Sequence, residues 1–553
     1  MSGKKINLPS GLDAPEADVC MLLEGTYPYV PGGVSTWVND LVHAQSHLTF
    51  HLVTLLPDEE PREARYDLPS NVTGVTPIYL NQLRRGSRWV RGVKELLNEL
   101  EPHLLNLQRG GGLHDFERVL QILKSNPAEL GRRALLNSRG AWELVERMYT
   151  EGMEGMSFLD YFWTWRALLT GLYCCALFDL PKAKVYHAVS TGYAGLIAAR
   201  AKLETGRPVI LTEHGIYTNE RRIEIAMADW LFEGKARGLD LVKPKRDLRD
   251  VWIDTFLSYS SACYEASDEI ITLYGGNQVL QLRDGADPKR LKIIPNGIDY
   301  ARYSAVQRTP GKRPPTIALI GRVVPIKDIK TFIRACAQLR EVAPDLRALI
   351  MGPTDEDEEY FNECKTMVRH LTLEKCVIFT GRVKLEDHLG EIDAIVLTSI
   401  SEAQPLVILE AGAAGVPTVA TDVGACREMI EGMPSEEPPL GPAGAIVPLS
   451  NPAATAAELA RLLGEEDWHE QCSNAIKARV EQSYNKIGLD ATYRGLYERY
   501  CNAPTERITP KSEPRPPGQG PHSPTRRRHG GRKVPGSTQV GSERRRSGTG
   551  RAA

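Results

Sequence analysis

Apolar residues in this chain gather in short continuous runs separated by stretches of helical period. The first run is Val19-Cys20-Met21-Leu22-Leu23, the pattern of a strand covered on both faces. Turn residues follow, Gly25-Thr26-Tyr27-Pro28-Tyr29-Val30-Pro31-Gly32-Gly33, and an amphipathic segment begins at Val34. Strand, glycine loop and helix in that order open a βα unit. Similar runs recur at His51–Leu56, Val185–Val189, Val209–Thr212 and Glu269–Leu273. Helical stretches separate most of them, which predicts a parallel, doubly wound sheet.

From about Asn81 to Leu180 the alternation stops and one helical pattern follows another. That length is too great for a connection within a compact sheet and predicts a helical insertion. Its Trp and Tyr residues suit a core or a partner-facing surface better than a substrate site. After the turn cluster Pro295-Asn296-Gly297-Ile298-Asp299 and a Pro/Arg/Lys linker at Arg308–Pro315, a second α/β series begins. Its strands are expected at Thr316–Ile320, Arg347–Met351, Val377–Thr380, Ala394–Ser399 and Pro417–Thr421. The expected organisation is a first domain over 17–310, with the insertion at about 81–180, and a second over 311–480. A helix at 481–502 would pack back toward the first domain.

Residues 503–553 are rich in Pro, Gly, Ser and Arg and read as a disordered tail. The tail changes the meaning of the net charge of −2. It holds 12 Lys/Arg against 3 Asp/Glu, which leaves the rest of the chain at −11. An acidic body argues against nucleic acid as the main ligand. The ten cysteines are scattered without a Cys-x-x-Cys pair, as in a reduced cytosolic protein. No apolar stretch follows the N-terminal lysines, and Ala167–Leu180 is too short to span a bilayer. The expectation is therefore a cytoplasmic protein with no membrane span of its own.

Two doubly wound domains turn the carboxyl ends of their strands toward a common crevice, so the chemistry is sought in the loops after each strand. After Thr316–Ile320 come Gly321-Arg322 and, five residues on, Lys327. A guanidinium forks onto two phosphate oxygens and an ammonium adds a point charge, a combination suited to a diphosphate. After Ala394–Ser399 come Glu402-Ala403-Gln404-Pro405 and then Leu406-Val407-Ile408-Leu409-Glu410. Pro405 suits a helix start, whose free N–H groups seat an anion. Carboxylates beside such a seat, Glu402 and Glu410, are suited to sugar and ribose hydroxyls. The first domain adds the open loop Gly32-Gly33 and His214 at a strand end. Asp355-Glu356-Asp357 fits an Asp-x-Asp metal pattern, but it lies in an acidic run that suits a helix start. No metal is expected.

Glu402 and Glu410, with Gly321-Arg322, Lys327, Pro31-Gly32-Gly33, His214 and Pro295-Asn296-Gly297-Ile298-Asp299, resemble retaining glycosyltransferases of family 4, which have the GT-B fold. The resemblance covers roughly residues 17–500. The stretches EGTYPYVPGGVSTWV, TEHGIYTNERRIEI and SEAQPLVILEAGAAGVP are similar to the PelF branch, cytosolic enzymes of bacterial Pel exopolysaccharide synthesis. The resemblance implies a UDP-sugar donor, a carbohydrate acceptor, no metal, and inner-membrane Pel synthase components as partners that recruit the protein. It implies that Arg322 and Lys327 hold the diphosphate, Glu410 the ribose and Glu402 the transferred sugar. His214 would contact that sugar from the other domain, Gly32 and Gly33 would admit the donor, and Arg382 and Val383 would read the base. Gln404, Leu406 and Val407 would complete the donor site. Many members of the family have Gly-Phe-Gly after the first glutamate, where this chain has Ala403-Gln404-Pro405. Two other readings are a nucleotide-sugar epimerase of the same architecture and a non-catalytic donor-binding subunit of a synthase complex.

Overall fold

The computed structural model describes residues 8–25, 27–124, 129–153, 155–227, 246–311 and 313–510; the tail predicted at 503–553 lies mostly outside them. Seven parallel strands form the first sheet: β1 (Ala17–Glu24), β2 (Phe50–Leu56), β3 (Val72–Tyr79), β4 (Ala183–Ala188), β5 (Val209–Glu213), β6 (Glu269–Thr272) and β7 (Leu291–Ile293). Their order is β3-β2-β1-β4-β5-β6-β7. The second sheet contains β8 (Thr316–Ile320), β9 (Arg347–Met351), β10 (Val377–Gly381), β11 (Ala394–Leu397), β12 (Thr418–Thr421) and β13 (Gly444–Val447). It is again parallel, in the order β10-β9-β8-β11-β12-β13. Strand order thus reverses between β1 and β4 in one sheet and between β8 and β11 in the other. Both sheets belong to one compact unit.

The continuous apolar runs are strands buried on two sides, and their alternate residues enter different cores. Along β1, Cys20 and Leu22 face the helical layer, whereas Val19, Met21 and Leu23 face helices Gly33–Ala44 and Lys486–Cys501. Along β8, Ile317 and Leu319 enter one core and Ala318 the other. Sequence pattern missed β3, β7 and β13, all at sheet edges. β3 contains Gly74 and Pro77, and β7 and β13 are only three and four residues long. An edge strand tolerates proline and needs less apolar sequence, which blurs the signal.

The stretch at 81–180 holds helices Val93–Leu107, Leu113–Leu123, Arg132–Leu135, Arg139–Gly152 and Phe158–Leu177. They share one core with the sheet. Trp165, Tyr161 and Tyr173 are interior. No helix among the described residues is long and apolar enough to cross a membrane. All ten cysteines are free, and all but Cys501 are buried.

The chain crosses between the sheets twice, and the two crossings lie side by side. Ile298 N–H donates to Tyr484 O (2.9 Å) and Lys486 N–H to Ile298 O (3.0 Å). Helix Lys486–Cys501 then packs on the first sheet, where Tyr497 Oη lies 2.7 Å from His187 Nδ1 and Gln45 donates to Asp490 O at 2.8 Å.

Candidate functional site

Loops at the strand-order reversal of an open α/β sheet diverge, leaving room for a ligand. In the second sheet the loops leaving β8 and β11 carry Arg322, Lys327 and Glu402. The β8 loop is anchored by Thr398, whose hydroxyl donates to the carbonyls of Lys327 and Asp328, both at 3.0 Å. Ile400 N–H donates to Ile326 O at 2.8 Å. Held in this way, the Lys327 ammonium forms an ion pair with Glu402. Ser399 Oγ donates to the same carboxylate at 2.6 Å. Arg322 is half exposed and pairs with Glu356, 2.7 Å away, the middle residue of the acidic run. Among the described residues no group of three or more His, Cys, Asp or Glu is arranged to hold a metal.

Three glycines align the neighbouring strand ends. Gly321 N–H donates to Met351 O (2.9 Å), and Gly352 N–H to Gly381 O (3.0 Å). A Cβ on Gly352 would stand 1.9 Å from Gly321 O, so only glycine lets the backbones approach so closely. Gly352 carried no signal in the sequence because its requirement is tertiary. The row leads to Arg382 and Val383, both exposed after the edge strand β10.

Helix Leu406–Ala413 starts beside Glu402, with Pro405 at its N-cap rather than within its first turn and no side chain capping it. Its leading N–H groups are therefore open to an anion. Leu406 and Val407 are half-buried in that turn. Glu410, one turn further in, accepts from Tyr303 Oη at 3.2 Å. Burial raises its pKa despite this contact.

Gln404, expected in the donor site, borders the cleft and is also held by the other domain. Its Oε1 accepts from Asn296 N–H (2.8 Å) and its Nε2 donates to Asn296 O (3.1 Å). Both ends of the amide are thus engaged by the backbone of the crossing segment. Gln404 thus fastens the two domains together while bordering the cleft. Glu428 makes a second fastening, accepting from Gly275 N–H at 2.9 Å at the start of helix Gly275–Asp284.

A cavity of about 590 Å³ lies between the sheets, bordered by Gly33 and His214 from one domain and by Ala403, Gln404 and Leu406 from the other. Arg322, Lys327, Glu402 and Glu410 are not on its wall; Lys327 and Glu402 pair beside it, Arg322 pairs with Glu356, and Glu410 is held by Tyr303. A Cβ added at Gly32 or Gly33 would meet nothing within 4 Å, so these glycines border open space. His214 is buried at the end of β5, and neither ring nitrogen has a hydrogen-bond partner. The Asn296 amide faces it outside bonding geometry. Burial lowers the His214 pKa to about 4, opposed by Asn296. A neutral imidazole with two unused nitrogens results, its ring edge-on to Trp37 at 4.7 Å.

Sequence reasoning did not single out Glu24, which ends β1 at the reversal point of the first sheet. Its carboxylate accepts from Tyr217 Oη (2.9 Å), Ser190 Oγ (3.2 Å) and Ala194 N–H (3.3 Å) and borders the cavity. A strand-end carboxylate next to the glycine loop was the available signal.

Known proteins resemble this chain in fold and in part of its sequence. Residues 314–465 match the family described as Glycosyl transferases group 1, and residues 17–289 match a domain of unknown function (DUF3492). A D-inositol 3-phosphate glycosyltransferase of Kineococcus radiotolerans is 27% identical over 264 residues, 45% of this chain and 58% of that protein. The chain thus spans little more than half the length of that curated relative. The structure of Anabaena HepE in complex with UDP superposes with a TM-score of 0.53 at 14% identity, covering 87% of this chain and 100% of that one. Sucrose-phosphate synthase from Thermosynechococcus elongatus gives 0.51 at 16% identity, covering 87% and 98%. The fold is GT-B, and residues 314–465 are similar in sequence to the group 1 glycosyl transferases.

Proposed function

We propose that the chain is a retaining, metal-independent glycosyltransferase that carries a sugar from a UDP-sugar to a carbohydrate acceptor. The observation that carries this reading is the Lys327–Glu402 pair at the second sheet's reversal point, with Arg322 on the same loop as Lys327. It lies beside an uncapped helix start and next to a cavity bordered by Gly33 and His214. The two cations and the helix N–H groups suit a diphosphate. Glu402 suits a sugar hydroxyl, and Glu410 the ribose.

In the proposed reaction an acceptor hydroxyl oxygen bonds to the anomeric carbon while the carbon–oxygen bond to the diphosphate breaks. The bonding electrons leave with the diphosphate, and a phosphate oxygen on the same face takes the hydroxyl proton. Most of the rate enhancement then comes from stabilising the departing charge with donors already in place. Glu24, with Tyr217 and Ser190, would orient the acceptor from the first domain.

The stretches similar to the PelF branch support a role in assembling a Pel-like exopolysaccharide in the cytoplasm, beside inner-membrane synthase components. A thermal-shift panel of nucleotide sugars tests donor choice, followed by measurement of UDP release with and without acceptor glycan. Release that depends on acceptor is the expected result. Interconversion of the sugar without release would identify an epimerase and refute transfer.

A further inference from the structure

The helical layer of the first domain carries a surface for which sugar transfer has no use. Segments 84–91 (RRGSRWVR) and 130–139 (LGRRALLNSR) contain seven arginines and no carboxylate, and all seven are exposed. The segments are joined through their backbones. Arg132 N–H donates to Arg84 O at 2.8 Å, and Ser87 N–H to Glu129 O at 2.8 Å. A Cβ on Gly131 would lie 2.4 Å from Arg84 O, so the close fit depends on glycine and the arginine loop is held firmly. Arg139 pairs with Glu143; among the described residues the other six have no ion pair.

Large apolar side chains stand in the same face. Trp89 is 84% exposed, Leu159 62%, Trp163 58% and Trp142 48%. They are contiguous with the arginines. Trp142 lies edge-on to Phe158 at 5.7 Å and tilted against Phe162 at 5.9 Å, and Arg166, one turn beyond Trp163, donates to Asn137 at 2.9 Å. Nearby carboxylates are engaged: Glu143 also by Lys94 (2.9 Å), and Glu146 by Trp142 Nε1 (2.6 Å). Among the described residues, Glu95, beside Gly92 at the end of the arginine loop, Glu129 and Asp160 have no ion pair.

Exposed tryptophans cost free energy in water, and clustered unpaired arginines repel one another, so this combination calls for a covering that is both anionic and apolar. A lipid interface has both properties: indoles settle at headgroup depth, and each basic residue near an anionic leaflet adds attraction. We propose that this face docks the protein on an anionic phospholipid bilayer, with the arginines on headgroup phosphates and Trp89, Trp142 and Trp163 in the interface. None of these residues borders the cleft cavity, so the face is separate from the site.

Flotation of the full-length chain with vesicles tests the proposal, comparing phosphatidylcholine alone with phosphatidylcholine plus phosphatidylglycerol. Binding is expected only with phosphatidylglycerol and should weaken with salt. Arg85→Glu/Arg88→Glu/Arg132→Glu should lower partitioning on the order of a hundredfold, with unchanged thermal unfolding. The corresponding Lys variant should retain most binding. Brominated lipid should quench tryptophan fluorescence, and less so in Trp89→Ser/Trp163→Ser. The basic C-terminal segment is controlled by Arg526→Ser/Arg527→Ser/Arg528→Ser in the full chain. Any of three results would overturn the proposal: no binding to anionic vesicles, equal binding by the charge-reversed variant, or loss confined to the C-terminal variant. Capture of an acidic protein by the face without vesicle binding would likewise overturn it.

Discussion

Glu402 holds the Lys327 ammonium across the gap between β8 and β11, and Ser399 in turn fixes the Glu402 carboxylate. At 20% and 13% exposure the two side chains are only weakly screened by water. Lys327→Ala should therefore act twice. It should lower kcat/KM for UDP release on the order of 10²- to 10³-fold through lost stabilisation of the leaving diphosphate. It should also leave Glu402 unpaired, destabilising the fold by about 2 kcal/mol, between the values for exposed and fully buried pairs. Lys327→Ala/Glu402→Gln should recover much of the thermal stability and none of the activity, as steady-state kinetics and calorimetric unfolding would record.

Gly33 and Gly424 separate a ligand requirement from a structural one. Because nothing lies within 4 Å of a Cβ at Gly33, Gly33→Val should leave Tm nearly unchanged. It should weaken UDP-sugar affinity roughly tenfold, about 1.4 kcal/mol. Gly424 has φ +53°, and a Cβ there would stand 2.3 Å from the carbonyl oxygens of Glu402 and Ala403. Gly424→Val should lower stability by about 2–3 kcal/mol and disturb the Glu402 loop. Equal loss of Tm in both variants would contradict the assignment of Gly33.

Stability should fall as the solution is acidified below pH 6.5. Burial lowers the pKa of His51 to about 4, of His187 to about 3 and of His214 to about 4, from an ordinary value of 6.5. Between pH 6.5 and 4 the unfolded chain binds protons that the folded imidazoles refuse, so acid favours unfolding. Glu213 acts in the opposite sense. Burial pushes its pKa up to about 7 from 4.5, so the folded state gives up stability as pH rises between those values. Burial raises Glu410, Asp254 and Asp490 in the same sense, but the three large histidine shifts should prevail, and Tm should climb from pH 4 to 6.5. His214→Asn should flatten the slope, and a wild-type profile that falls over this range would count against buried neutral imidazoles.

Donor binding should persist in the presence of a chelator. Arg322 and Lys327 supply the positive charge that a metal would otherwise bring to the diphosphate. Titration calorimetry of UDP-sugar with and without EDTA decides the matter, and loss of binding on chelation would return Asp355 and Asp357 to consideration as ligands.

Much of the architecture could be read from local pattern. Buried parallel strands are nearly uninterrupted apolar runs, so β1, β2, β4, β5, β6, β8, β9, β10, β11 and β12 were visible, whereas the weaker edge strands β3, β7 and β13 were not. The strand-end positions of Arg322, Lys327, Glu402 and His214 followed from the same pattern, since loops after parallel strands collect at one edge.

The sequence by itself determined which residues end strands and start helices, because those depend on near neighbours along the chain. Only the tertiary structure decided which of them meet. Lys327 and Glu402 are 75 residues apart and pair because β8 and β11 are adjacent at the reversal. Gln404 is taken up by Asn296 because the crossing segment passes beside it. Gly352 is needed because Gly321 O lies where its Cβ would stand. The tryptophans divided in the same way. Trp165 is interior, whereas Trp142 and Trp163 face solvent. That difference depends on which side of each helix its neighbouring helices cover.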